Sequence, residues 1–163
     1  NHVPLLTRHI QRRNEHLAVT CVGRVFHTYG CSKLGLLSVS KIHPEDISCI
    51  AADAYQVFAA AGKDIYAWRR GTELKHVYRG HAKTVKLMMT FGPHLISVDE
   101  GCTLNVWEIR TEKLVLQLEF KPSSFDITSM VHPATYMNKI LLGSRQGSMK
   151  VRGRRFCNTN REV

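Results

Sequence analysis

The chain lacks any run of about 18 continuous apolar residues, the length a membrane-spanning helix needs, so no membrane span is read from it. Its first residues carry Arg8, Arg12 and Arg13 with no apolar block behind them, which is not the make-up of a secretory leader. Cysteine is sparse: Cys21, Cys31, Cys49, Cys102 and Cys157 form no C-x-x-C pair and are odd in number, against both a disulfide framework and a zinc site. A soluble protein of a reducing, intracellular compartment is the expectation. The phosphate-cradling Gly-x-x-x-x-Gly-Lys-Ser/Thr, the nucleophile turn Gly-x-Ser-x-Gly, the metal pair His-Glu-x-x-His and paired carboxylates at a common strand end are all missing, so neither an enzyme nor a cofactor is expected. The histidines, among them His27, His43, His76, His81 and His94, share no ligand spacing, and no metal is expected.

Acidic residues are also few, 13 against 23 lysines and arginines, for a net charge of +10. The excess is local. Residues 63–86 carry +5 and residues 150–163 carry +4, whereas 25–62 and 87–149 are each −1. Concentrated basicity favours a polyanionic partner such as RNA, with a solvated lysine and arginine face as the alternative reading.

What is present is a repeat. Gly23, Gly62 and Gly101 are 39 residues apart, and so are Tyr29, Trp68 and Trp107. A unit of about 40 to 45 residues in which a short strand ends on tryptophan is how a four-stranded propeller blade shows itself, because each blade must bury its sheet against the next. Residues 1–16 have little periodicity and are read as a lead-in segment or the tail of a preceding strand. Blades are expected at about 17–40, 47–80, 84–120 and 127–151, as runs such as QVFAAAG and TLNVWEI are short, β-rich and punctuated by glycine. Residues 152–163 are a basic tail without alternation. The fold expected is all-β, about three and a half blades of four-stranded antiparallel sheet, where a ring closes with about 4 to 8. The chain is accordingly read as part of a larger protein, incomplete at both ends, with the final blade short of its outer strand and Arg152 where an aromatic belongs.

Each singled-out position carries a structural expectation. Tyr29, Trp68 and Trp107 should fill the space between neighbouring sheets. Gly80-His81 precedes Trp107 by 27 and 26 residues, the Gly-His to Trp-Asp spacing of WD repeats, so His81 is expected as a buried hydrogen-bonded post with Asp99 and Ser97 as nearby partners. No Gly-His precedes Trp68, though His43-Pro44 falls almost in register. Arg69 and Glu108 stand where the repeat usually has aspartate. Arg69, Arg70, Lys75, Arg79, Lys83 and Lys86 are candidate contacts for RNA or an acidic partner along one rim or edge, with His76 and Tyr78 interleaved as candidate stacking residues.

The strings TCVGRVFHTYGCSKLGLLSVS, FGPHLISVDEG and HPATYMNKILLGSRQGS resemble the N-terminal propeller of the WD-repeat protein thirty-six and Utp twenty-one family over roughly residues 17–151. The resemblance implies a partial WD-repeat β-propeller acting as a non-catalytic scaffold in nucleolar small-subunit ribosome assembly and pre-ribosomal RNA processing. It implies as partners the other WD-repeat subunits of the UTP-B subcomplex, pre-ribosomal RNA and the box C/D small nucleolar ribonucleoprotein of the small-subunit processome. In that family the strand ending SMKV would continue into further blades, a second propeller and a helical C-terminal domain. Two other readings remain: a substrate-recruiting adaptor of the ubiquitin-ligase type that captures acidic peptides, and a non-functional product of a truncated transcript.

Overall fold

The computed structural model describes residues 6–12, 15–133 and 139–153. The chain divides into two compact units, residues 1–86 and 87–163. The first holds two four-stranded sheets. One runs in the order β1 (Leu6–Arg12), β2 (Glu15–Val22), β3 (Val25–Gly30), β4 (Gly35–Val39); the other runs β5 (Ile47–Ala52), β6 (Gln56–Ala61), β7 (Asp64–Arg69), β8 (Glu73–Tyr78). Residues 87–163 hold a sheet of β9 (Val85–Phe91, whose first two residues lie in the first unit), β10 (His94–Asp99), β11 (Thr103–Glu108) and β12 (Lys113–Glu119). A helical turn α1 (Pro122–Phe125) leads to a sheet of β13 (Ile127–Val131), β14 (Lys139–Ser144) and β15 (Met149–Gly153). Every pairing is antiparallel between consecutive strands.

Burial explains the composition of these strands. In β6 every residue from Val57 to Ala61 is buried, so this inner strand reads as a continuous run of small and apolar residues. The outermost strands β4, β8 and β12 are largely exposed and carry charge and hydroxyls between their apolar residues. In the first unit the two sheets share a core: Val19, Cys21 and Phe26 of one meet Ile50, Val57, Ala59 and Trp68 of the other. In the second unit Ile96, Val98, Leu104 and Val106 meet Phe125, Ile127, Ile140 and Leu142.

Three features depart from the sequence reading. Residues 6–12, read as a lead-in segment or the tail of a preceding strand and set outside the first blade, form β1 and pair along their whole length with β2 of that blade, from Leu6↔Cys21 to Arg12↔Glu15. Pairing in the last sheet runs past Val151, with Ile140↔Arg152 and Lys139↔Gly153. The third glycine of the repeat does not take the left-handed role of the first two. Gly23 and Gly62 open two-residue hairpin turns at φ +57 and +61, a conformation that favours glycine. Between β10 and β11 the turn is one residue longer, and Cys102 at φ +62 takes the left-handed position. Asp99 holds that turn, its Oδ1 accepting the N–H of Gly101 and of Thr103, each at 2.9 Å.

Candidate functional site

The 39-residue spacing of Tyr29, Trp68 and Trp107 corresponds to one recurring backbone event. Each is in the third strand of its sheet, and pairing with the fourth strand shifts register just before it: between Thr28 and Tyr29, Ala67 and Trp68, Val106 and Trp107. The extra residue lies on the fourth strand each time, at Leu37, Lys75 and Val115, so it is that strand which bulges beside the aromatic. Trp68 and Trp107 are each 3% exposed, and Tyr29 is half-buried. Trp68 is part of the core joining the two sheets of the first unit, edge-on to Phe26 with ring centroids 6.1 Å apart.

A hydrogen-bonded histidine post of the kind expected at His81 is seen at His43. Its Nε2 accepts the indole N–H of Trp68 at 3.0 Å, and its Nδ1 lies 2.9 Å from the Arg24 carbonyl oxygen. An indole nitrogen only donates and a carbonyl only accepts, so the two partners fix the ring as the neutral tautomer protonated at Nδ1. Burial lowers the His43 pKa, opposed by the hydrogen bond to the Arg24 carbonyl. Arg24 in turn donates from Nε to the His43 carbonyl at 2.9 Å and from its terminal nitrogen to the Pro44 carbonyl, clamping the chain on either side of the ring. Trp107 donates its indole N–H to Ser97 Oγ at 2.9 Å across its own sheet, Ser97 being one of the two residues expected beside His81. His81 is also buried, as are Ser97 and Asp99.

The candidate cationic residues do not share one rim. Arg69 ends β7 and Arg70 lies in the β7–β8 turn, whereas Arg79 follows β8 and lies beside Asp64 at the start of β7. Five residues of strand separate these ends, about 17 Å at 3.3 Å per residue. Lys75 is exposed in mid-β8. Lys83 and Lys86 flank Val85, whose N–H donates to the Gly62 carbonyl at 2.9 Å, which places them with Arg79 at the β6–β7 turn. Carboxylates are interleaved there. Asp64 pairs with Arg79 at 3.5 Å, and Glu45 lies so close to Gly62 that an added Cβ would meet its oxygens at 2.8 Å. Tyr78 is 2% exposed, packed edge-on against His76 at 4.7 Å and tilted against Phe58, so it is not available to stack on a base. Among the described residues no three of His, Cys, Asp and Glu come together as metal ligands.

A sequence model described as the WDR36/Utp21 first beta-propeller matches residues 18–157. The chain belongs to that family. It is a partial WD-repeat β-propeller. It is 44% identical over 151 residues to WD repeat-containing protein 36 of Homo sapiens, which takes in 93% of this chain and 17% of that protein. It is 36% identical over 148 residues to the U3 small nucleolar RNA-associated protein 21 homolog of Schizosaccharomyces pombe, covering 87% of this chain and 16% of that one. U3 small nucleolar RNA-associated protein 21 of Saccharomyces cerevisiae is 28% identical over 134 residues, 75% of this chain and 14% of its own length. The chain thus spans less than a fifth of each of these relatives.

Within this WDR36/Utp21 propeller segment the family match runs past Val151, into the residues that the sequence reading set apart as a basic tail. The structure accounts for the first of those cations. Lys150 Nζ lies 4.6 Å from the Phe125 ring centre and Arg152 Cζ 5.8 Å from that of Phe120, so basic residues on β15 cover an aromatic pair. The cation at position 152 thus stands over the Phe120 ring, where the second and third blades bury a tryptophan. Residues 134–138, within the most specific of the resembling strings, and 154–163 lie outside the described residues.

Proposed function

We propose that this chain is part of a non-catalytic scaffold subunit of nucleolar small-subunit ribosome assembly and pre-ribosomal RNA processing. The observation that carries the reading is the identity, over most of the chain, to proteins named for association with the U3 small nucleolar RNA. The architecture supports it: inner strands with fully buried side chains form a stiff body, and short turns present varied residues at the sheet ends, an arrangement suited to display. Its partners are other WD-repeat subunits of UTP-B and the box C/D particle with its pre-ribosomal RNA, and its location is the nucleolus.

Direct RNA contact, where made, belongs to the sheet end bearing Arg79, Lys83 and Lys86, with Arg69, Arg70 and Lys75 as separate contacts. Each phosphate contact removed should lower the salt slope of binding by about one unit. The test is affinity purification of the chain, alone and within the longer protein, followed by RNA sequencing and mass spectrometry. Recovery of pre-ribosomal RNA and WD-repeat assembly factors with either form, the association being lost on RNase treatment, supports the scaffold. Recovery of acidic peptides on a ubiquitin-ligase core, unaffected by RNase, replaces it with the adaptor.

A further inference from the structure

Five exposed large apolar residues, Leu34, Leu36, Leu37, Val39 and Ile42, stand on β4 and its two flanks. β4 ends its sheet, and among the described residues no strand pairs with its outer side. The unpaired N–H and C=O groups of such an edge invite a further strand, which proteins commonly discourage by placing charge there. The strands in the same position of the next two sheets carry that charge: Glu73 and Lys75 on β8, Lys113 and Glu119 on β12. β4, Gly-Leu-Leu-Ser-Val, carries none. A bulge occurs in all three strands, at Leu37, Lys75 and Val115, so it does not set β4 apart.

Both faces of this edge offer apolar surface. Leu36 and Val39, 54% and 42% exposed, pair with Tyr29 and His27 and so share one face of the sheet. Leu37, 61% exposed, lies on the other face, where a Cβ added to Gly30 would meet its side-chain carbons at 3.6 to 3.9 Å. A strand laid along the edge would complete the main-chain ladder and set alternate side chains beside these residues, the way extended peptides add to open sheets. Charge selects the occupant. Residues 25–44 contain no aspartate or glutamate, and the exposed Lys33 and Lys41 stand just beyond the two ends of β4. A second copy pairing antiparallel about Leu37 would bring Lys33 of each chain opposite Lys41 of the other, and like charges directly opposed destabilise a strand pair. A nucleic acid has no peptide groups with which to complete the ladder. A segment with carboxylates at both ends and alternate apolar residues between them meets the lysines and the leucines together.

We infer that the outer edge of β4 takes up an extended segment of a partner protein, apolar in its middle and acidic at both ends, as a further strand of the first sheet. The inference stands on the geometry of this sheet, whether or not the chain works in pre-ribosomal particles. The probe is the peptide acetyl-Glu-Glu-Val-Thr-Val-Thr-Val-Glu-Glu-amide, titrated into the purified chain while amide hydrogen exchange is followed by mass spectrometry, with β8 and β12 as internal controls. Saturable slowing of exchange in residues 35–39, at a Kd of about 1 mM or tighter, with β8 and β12 unchanged, is expected. The same peptide N-methylated throughout its valines and threonines has lost its ladder donors and should not bind. A peptide with lysine in place of each glutamate should bind at least about tenfold more weakly. Lys33→Glu combined with Lys41→Glu, both at exposed positions, should reverse that preference without altering the thermal midpoint of the free chain. Leu37→Lys, which sets a charge in the middle of the edge, should weaken the acidic peptide about tenfold. Equal binding of the N-methylated peptide, an unreversed preference in the double variant, equal slowing in β8 and β12, or no slowing at 10 mM peptide, about ten times that Kd, would each overturn the assignment. So would a concentration-dependent dimer that Leu37→Lys abolishes, which would make a second copy the occupant.

Discussion

Replacing His43 by leucine tests whether the histidine–tryptophan bond holds the first unit together. The Arg24 carbonyl loses the ring Nδ1 but keeps the His43 backbone N–H at 2.9 Å, so it stays satisfied. The indole N–H of Trp68 loses its acceptor on a residue 3% exposed, at a cost of about 1–3 kcal/mol. The edge-on contacts of the imidazole with Tyr66 at 5.2 Å and Trp68 at 5.3 Å add about 0.5–1.5 kcal/mol. The sum is about 1.5–4.5 kcal/mol, read from urea unfolding as a lower midpoint at unchanged slope. Combining His43→Leu with Trp68→Phe, which deletes the donor, should cost less than the two changes added together, by about 1–2 kcal/mol. The same bond sets a pH dependence. Burial lowers the His43 pKa in the folded state, so in the interval between that value and about 6.5 the unfolded chain binds more protons than the folded one. Stability from this group is therefore complete above about pH 6.5 and is lost as pH falls below it. The stability gap between parent and His43→Leu should shrink over that interval. Additivity within about 0.5 kcal/mol in the cycle, together with a gap that does not change with pH, would refute the bond as a source of stability.

Backbone conformation gives two substitutions of opposite sign. Gly62→Ala places a side chain at φ +61 and should cost about 1–2 kcal/mol, Glu45 being exposed and able to move aside. Leu34→Gly, at φ +48 and 76% exposed, should be neutral or stabilise by up to about 1 kcal/mol, as the relief of strain outweighs the added freedom of the unfolded chain. Both are checked by thermal or urea unfolding. Asn105 is fully buried with neither amide atom hydrogen-bonded, and Asn105→Leu should raise stability by about 1–3 kcal/mol in the same assay. Arg79→Ala should change stability by less than about 1 kcal/mol, because its pairing with Asp64 is open to water, while lowering the salt slope of any RNA binding.

The blades were legible in the sequence because their period is enforced by geometry rather than by chemistry alone. Each large aromatic of the third strand stands directly after a bulge in the neighbouring fourth strand, and moving it by one residue would turn it to the other face of the sheet. That the first strand belongs to the first sheet was not legible. In Leu-Thr-Arg-His-Ile-Gln-Arg the two apolar residues, Leu6 and Ile10, are four apart, a spacing that fits one face of a strand and one face of a helix alike, and its place comes from backbone pairing with β2. The slip at Gly101 was hidden for a similar reason. Glycine is the usual occupant of a left-handed position, and only the two bonds to Asp99 reveal that the turn has gained a residue and passed that position to Cys102.

Charge was legible as an amount but not as a place. The +5 of residues 63–86 is continuous along the chain, yet that stretch folds back on itself as β7 and β8, which separates Arg69 and Arg70 from Arg79 by the length of a strand. Carboxylates from the β4–β5 loop and from the start of β7 then stand among the cations at one end. A linear sum of charge therefore overstates the potential that a phosphate would meet at either end of this sheet, since opposite charges interspersed within a Debye length of about 8 Å largely cancel. A cavity beside Trp68 shows the converse. Thr28, Asp53, Gln56 and Glu15 are unremarkable in sequence and up to 41 positions apart, and they meet because turns from one sheet close over strands of the other. Nothing in composition or periodicity records which residues such a closure brings together. A propeller blade is read from its repeats, and the surface it offers to a partner lies in the residues that the repeat leaves free to vary.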